Sequence, residues 1–323
     1  MAESFSRQTS LDGHEAFQLR ENIRARAISI AQTIDGPEQA MKSICRGYNT
    51  CTALRICLDK ELARLVEKYS AVARLPSLLQ DTDHRFPSPG KTAYNTVYNT
   101  TLDFYSFSSK FDHKRALDYA MSMENLAQAQ LPFFERAYPC ERLEATTHFI
   151  DVAGGLGYTS HILAQRFTEA SFDVQDYPYI VEMAQKKCPD ALKGRISFTA
   201  HDMLLAQPEI DRNLYPFTVL LLKIILHDHC DEECKAILKN LLSAMDKNDR
   251  ILVIDTVIPE VGGSLSSSFS DVIQLSMFGS GHRTTKEFLA LFHGCGVEVV
   301  VDMFSGGAVE EFDGMMVFEV RLA

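Results

Sequence analysis

The stretch that most constrains this chain is His148-Phe149-Ile150-Asp151-Val152-Ala153-Gly154-Gly155-Leu156-Gly157-Tyr158. An apolar run holding Asp151 enters three glycines in four residues, and an amphipathic segment, Thr159 to Phe167, follows. A strand, turn and helix in that order bring backbone N–H groups and a helix N-terminus up to a ligand. The spacing is G-G-x-G, so the dinucleotide pattern G-x-G-x-x-G is not met. By itself the turn serves equally where strand and helix only pack closely, and the residues downstream decide between the two.

From His148 onward, apolar runs and helical periodicities alternate. The pattern predicts strands at 148–153, 171–175, 195–200, 217–222, 250–256, 296–302 and 315–321, and helices at 158–167, 178–186, 230–245 and 284–293. Such alternation means an α/β class, a doubly wound and mostly parallel sheet that binds ligands at the carboxyl ends of its strands. The last two strands have no helix between them and predict an antiparallel edge hairpin.

The first part of the chain reads differently. Ala16, Leu19, Ile23, Ala27, Ile28, Ala31 and Ile34 fall at helical spacing before Asp35-Gly36-Pro37. A second helix is expected from about Pro37 and a third over 53–69. So small a helical region cannot bury two apolar faces alone, which predicts a partner subunit as its cover. Pro76, Pro87, Pro89 and Gly90 among polar residues read as a linker or loop excursion between Ser70 and Tyr98, and helix returns over 102–137. The expected division is residues 1–75 as a helical dimerisation region, 76–140 as linker and substrate-contacting helices, and 141–323 as the ligand-binding sheet domain.

Composition narrows the partners. The formal net charge of −11 disfavours nucleic acid or an anionic membrane as the main partner and leaves small molecules. No stretch approaches the roughly 18 apolar residues of a spanning helix, and Met1 to Ser10 lacks the apolar core of a signal peptide, which predicts a cytoplasmic protein. The eight cysteines lack dense regular spacing and read as reduced thiols. His227, His229, Cys230 and Cys234 form H-x-H-C-x-x-x-C, but no second cluster completes four ligands, so no metal is expected.

Three strand ends carry further chemistry. Phe172 to Asp176 ends in an acid about 20 residues beyond the glycine turn, where a carboxylate can accept from two ribose hydroxyls, although Asp before Pro178 also suits a helix cap. His201-Asp202-Met203 offers an acid and an apolar side chain for the edge and face of a purine, or simply a polar strand end. Leu222-Lys223-Ile224-Ile225-Leu226-His227-Asp228 delivers a His and an Asp at a strand's end. A His there can act as a general base near neutral pH, since its unperturbed pKa is about 6.5.

Together the glycine turn, V-Q-D-x-P, H-D-M, L-K-x-x-x-H-D, I-D-T-V-I-P-E, and R-T-x-x-E-F followed by G-C-G-V-E-V resemble the S-adenosylmethionine-dependent O-methyltransferases of the plant caffeate type and their fungal relatives. The likeness covers about residues 95–323 well and the N-terminal helices loosely. It implies S-adenosylmethionine as cofactor, a homodimer through the N-terminal helices, and a small hydroxylated aromatic or polyketide metabolite as substrate. By the same resemblance, Asp151, Gly154, Gly155 and Gly157 form the cofactor turn, with Gly154 and Gly155 against its methionine portion. Asp176 binds the ribose, Asp202 and Met203 contact the adenine, Lys223 lies beside it, and His227 is the base with Asp228 next to it. Phe104, Tyr105, Met121, Met123, Met277 and Phe278 are the candidate substrate contacts.

The chain departs from that family's pattern in four places. Two glutamates flank the catalytic His there, whereas Asp255 and His282 occupy those positions here. His229 stands where an aromatic is usual, and the interval from Ser70 to Thr92 is short for the family's winged-helix segment. Fungal relatives on this fold include pericyclases, which keep the sulfonium as a fixed positive charge. The group His227, Asp228, His229, His282 and Arg283 would suit such an activity by polarising an oxygen. A sulfonium-assisted cyclisation or dehydration is therefore the alternative to methyl transfer.

Overall fold

A computed structural model describes residues 61–83, 87–121, 123, 138, 140–260, 265–303 and 314–322. The helices expected over 15–35, from Pro37, and in the first part of 53–69 lie outside the described residues. The residues Ala63–Ala323 form one compact unit.

Helix α1 (Glu61–Asp81) contains Pro76, so residues 70–81 are helical where the proline and polar residues predict a loop. A proline inside a helix removes one hydrogen bond and costs about 3 kcal/mol. Here the cost is offset by burial, because Ala71 and Leu75 pack with Tyr94, Phe104 and Met277 in one apolar cluster. Helices α2 (Ala93–Tyr98) and α3 (Phe104–Phe111) follow, and residues 113–121 are again helical. Asp103 starts α3 by accepting from the N–H groups of Tyr105 at 2.8 Å and Ser106 at 2.9 Å.

The remainder is a seven-stranded sheet flanked by helices: β1 (His148–Val152), α4 (Tyr158–Arg166), β2 (Ser171–Asp176), α5 (Pro178–Lys187), β3 (Ile196–Ala200), β4 (Thr218–Lys223), α6 (Asp231–Leu242), β5 (Arg250–Thr256), α7 (Leu265–Phe278), α8 (Thr285–Gly294), β6 (Val297–Met303) and β7 (Met315–Leu322). Every predicted strand and helix of this region is present, within a few residues at the ends. The strand order is β3-β2-β1-β4-β5-β7-β6. The first five strands are parallel, and β7 runs antiparallel to both β5 and β6. The terminal pair is thus antiparallel, with β6 at the edge and β7 inserted beside β5.

Strands β1 and β4 are buried along nearly their whole length, which is why both read as continuous apolar runs instead of alternating ones. The glycine turn leaves β1 with Gly155 at φ 60° and Gly157 at φ 78°, the latter capping α4. Both angles lie in the left-handed region that glycine adopts without steric cost. A serine-rich start, Leu265-Ser266-Ser267-Ser268, hides α7, to which the sequence pattern assigns no element.

Two apolar clusters sandwich the sheet, one including Phe149, Phe172 and Leu221 and the other Phe288, Phe292 and Phe318. Phe318 on β7 is fully buried, with ring centroids 5.1 Å from Phe288 and 5.4 Å from Phe292. Phe318→Ala is expected to cost about 3–5 kcal/mol in a urea unfolding series, the usual range for deleting a buried aromatic ring. A loss below about 1 kcal/mol would show that the β7 edge does not share in the cooperative core.

Candidate active site

The sheet changes direction between β1 and β4, which carry their crossover connections to opposite sides, and this opens a crevice at their carboxyl ends. A cavity of about 210 Å³ lies there. One part of its wall is acidic and built from strand ends: Asp151, Gly154, Gly155, Asp176, Met203 and Lys223. Another part is aromatic and built from α3, the 113–121 helix and the end of α7: Phe104, Tyr105, Tyr119, Met277 and Phe278.

The glycine turn fits its place closely. A Cβ on Gly154 would lie 2.6 Å from the Asp151 carboxyl carbon, so no side chain fits there without displacing Asp151. The backbone N–H of Gly155 donates to Asp176 Oδ2 at 2.8 Å, and that of Tyr177 donates to Oδ1 at 2.7 Å. Desolvation nevertheless carries the Asp176 carboxyl up to about 6. Asp151 accepts from Ser160 at 2.7 Å, and burial raises its pKa as well. Lys223 is the only lysine or arginine among the cavity residues described, against five carboxylates, and burial lowers it to about 8. Ala153 and Ile224, which follow β1 and β4, adopt φ 53° and 58° without being glycine. Strained backbone of this kind gathers at ligand sites.

Next to β4, a short turn over Leu226–Asp228 holds His227 between two carboxylates. His227 Nδ1 is 2.7 Å from Asp255 Oδ1, and its backbone N–H donates to Asp255 Oδ2 at 3.2 Å. Nε2 is 3.1 Å from Asp228 Oδ1, an ion-pair contact, and among the described residues that oxygen makes no hydrogen bond. The other Asp228 oxygen accepts from the Tyr105 hydroxyl. Burial works to lower the His227 pKa, but Asp255 and Asp228 overcome it and carry the imidazole up to about 10. Burial would also raise Asp228, yet His227 holds its carboxyl below the ordinary value. His227 is therefore an imidazolium near neutral pH, paired on both faces.

His282 stands perpendicular to this imidazolium with ring centroids 5.2 Å apart. Its Nε2 is 2.8 Å from Ser270 Oγ and its backbone N–H donates to Asp271 at 2.7 Å, so α7 positions it. Burial first, and then the charge on His227, lowers its pKa. Arg283 fastens the turn itself, donating to the carbonyl oxygens of Leu226 at 2.6 Å and His229 at 2.8 Å and pairing with Asp231.

The structure sorts the residues singled out in the sequence. Asp151, Gly154, Gly155, Asp176, Met203, Lys223, Asp228, Phe104, Tyr105, Met123, Met277 and Phe278 line the cavity. His227, Asp255 and His282 lie behind Asp228 and are buried. Gly157 caps α4 outside the cavity wall, and Asp202 turns back to accept from Leu204 N–H at 2.9 Å. Met121 is not among the cavity residues; with Leu117 it packs against the cluster of Ala116, Ala120, Leu156, Ile180 and Ala184. Tyr119, Tyr177, Ile180 and Glu233 also line the cavity. Only the tertiary fold marks them out, apart from Glu233, whose i,i+4 spacing to His229 foretells their 3.2 Å contact.

Residues 85–298 match the family model described as an O-methyltransferase domain. This chain belongs to the O-methyltransferase family. Among curated relatives, O-methyltransferase SAT18 of Stachybotrys chartarum is 46% identical over 383 aligned residues, covering 100% of this chain and 95% of that protein. O-methyltransferase pgmB of Aspergillus terreus is 29% identical, with 80% of each chain covered. Among solved structures, LepI in complex with SAM gives a TM-score of 0.69 at 20% identity over 92% of this chain and 80% of that one, a likeness of fold. The SAT18 alignment is longer than this chain by 60 positions, 383 against 323, so that relative holds internal segments with no counterpart here.

The cofactor of this O-methyltransferase family is S-adenosylmethionine, and the cavity's chemistry fits it. Asp176 offers a carboxylate for two ribose hydroxyls, the excess of acidic groups suits a cation, and Gly155 leaves open space where a side chain would stand. Among the described residues, no helix is long and apolar enough to cross a membrane.

The His227 pair makes stability depend on pH. A histidine raised from about 6.5 to about 10 contributes stability that is complete below pH 6.5 and lost as pH rises through 10. The urea midpoint is therefore expected to fall between pH 6.5 and 10, and Asp255→Asn is expected to flatten that fall. An unchanged slope in the variant would show that Asp255 does not hold the proton on His227.

Proposed function

We propose that the chain transfers a methyl group to a hydroxyl of a small aromatic or polyketide-type secondary metabolite, with His227 as the base that receives the hydroxyl proton. The observation carrying this reading is the imidazole held between Asp255 and Asp228 behind the cavity's aromatic wall. The bound cofactor supplies an electrophilic methyl group on a sulfonium. The protein's part is to hold the acceptor hydroxyl in line and to take its proton, which needs neither a metal ion nor a covalent intermediate. Asp228 receives the hydroxyl as a hydrogen-bond acceptor at the cavity surface, and the proton passes to His227 Nε2 behind it. Asp255 anchors Nδ1 and so fixes the ring.

Asp151, Gly154, Gly155, Asp176, Met203 and Lys223 are assigned to the cofactor, and the aromatic wall to the acceptor. In this reading residues 1–75 make a homodimer, 76–140 contribute acceptor contacts, 141–323 hold the cofactor, and the enzyme works in the cytoplasm.

The charge on His227 also supports a second reading. The imidazolium directs its ring nitrogens to Asp255 and Asp228, so it would act on an oxygen that gains negative charge through its fixed positive charge behind the wall, the need of a pericyclase or dehydratase that leaves the sulfonium intact. Incubating methyl-labelled S-adenosylmethionine with a phenol panel separates the two. Label in the product, with S-adenosylhomocysteine formed, supports transfer, whereas conversion with undiminished cofactor supports the second reading.

For methyl transfer, His227→Ala is expected to lower kcat about 10²–10⁴-fold. Because only neutral His227 can accept a proton, kcat/KM is expected to climb with pH towards about 10. A profile already level at pH 7 would overturn the base assignment. Sedimentation of the full chain is expected at twice the chain mass, and a monomer would remove the dimer from the proposal.

A further inference from the structure

The aromatic wall of the cavity contains one polar atom whose bonding is incomplete. Ser108 on α3 is only 1% exposed and lines the cavity, and its Oγ has no hydrogen-bond partner among the described residues. Buried polar groups are nearly always paired, and a helical serine readily pairs with the carbonyl one turn back. An orphan in this place points to a partner that arrives with a ligand.

Other polar groups that line the same cavity are already committed. Thr92 Oγ lies 2.8 Å from Asn95 Oδ1, and Asn95 Nδ2 donates to the Leu102 carbonyl at 2.8 Å. The Tyr105 hydroxyl is taken by Asp228. Ser108 falls three residues after Tyr105, on the same helix face and one turn along, and both line the cavity. Tyr105 stacks on Phe278 with centroids 5.5 Å apart and an interplanar angle of 15°, which gives the wall a flat aromatic element.

We infer that Ser108 is a substrate-binding residue that pairs with a second oxygen of the acceptor, so that the chain selects aromatic rings bearing at least two oxygen substituents. One oxygen addresses Asp228 and reacts, while the other addresses Ser108 and sets which hydroxyl reaches Asp228. This rests on the acceptor reading given above for the aromatic wall and adds the class of ring.

The test is equilibrium binding, which requires no turnover. Phenol, catechol, resorcinol and hydroquinone are titrated calorimetrically into the full chain saturated with S-adenosylhomocysteine, using wild type and Ser108→Ala. The wild type is expected to bind at least one of the three dihydroxybenzenes about tenfold more tightly than phenol, the effect of one buried hydrogen bond completed by the ligand. Ser108→Ala is expected to bring that ring down to the affinity of phenol and to leave phenol unchanged. Because the hydroxyl has no partner among the described residues, the melting temperature of unliganded Ser108→Ala is expected to stay equal to the wild type's or to rise. No preference in the wild type, a preference that survives the substitution, or a variant that loses both melting temperature and phenol affinity overturns the inference. If the preference behaves as expected but no methyl group is transferred, the methyl-transfer reading fails and the assignment of Ser108 stands.

Discussion

Strand β1 pairs in parallel with β2 on one side and with β4 on the other, so the chain winds outward from the middle of the sheet in both directions. Crossovers on opposite faces cannot close over the carboxyl ends of β1 and β4 together, and a crevice is left there. Everything that gives this protein chemistry lies at that crevice or is reached from it. The glycine turn leaves β1, Asp176 ends β2, Lys223 ends β4 and Asp255 lies near the end of β5. The strain at Ala153 and Ile224 belongs to the same constraint, since those two residues turn the chain away from the two central strands.

The departures from the family's pattern become intelligible as one electrostatic arrangement. Asp255 is one methylene shorter than glutamate, yet it reaches both the ring and the backbone N–H of His227. With His282 in place of a second carboxylate, Asp228 supplies the other negative charge at 3.1 Å. Two buried carboxylates about one imidazole keep it protonated even though burial alone would neutralise it. His282 can lie beside that cation only while it is itself uncharged, and the direction of its pKa agrees.

Much of the sheet domain was legible in the sequence because parallel strands buried on both faces must be written as apolar runs. The helices between them carry a period that few other structures share. Three features escaped, among them α2, which lies inside the interval read as a loop and is started by the Thr92–Asn95 capping box. The helix over 70–81 was concealed by Pro76, since local propensity says nothing of the apolar cluster that Ala71 and Leu75 join. The serine-rich beginning of α7 similarly concealed a helix that positions His282 through Ser270 and Asp271.

The sequence by itself determined the α/β class, the glycine turn, the acid after the second strand and the His-Asp pair after the fourth. Each is a local pattern whose spacing along the chain carries its meaning. Only the tertiary structure decided which of these groups share one cavity and in what charge state. It placed Asp228 in front of His227, tied Tyr105 to Asp228 across 123 positions of sequence, and left Ser108 without a partner among the described residues. The physical reason is that desolvation and short-range ion pairing depend on distances between segments far apart in the chain, and such distances exist only once the sheet has brought those segments together.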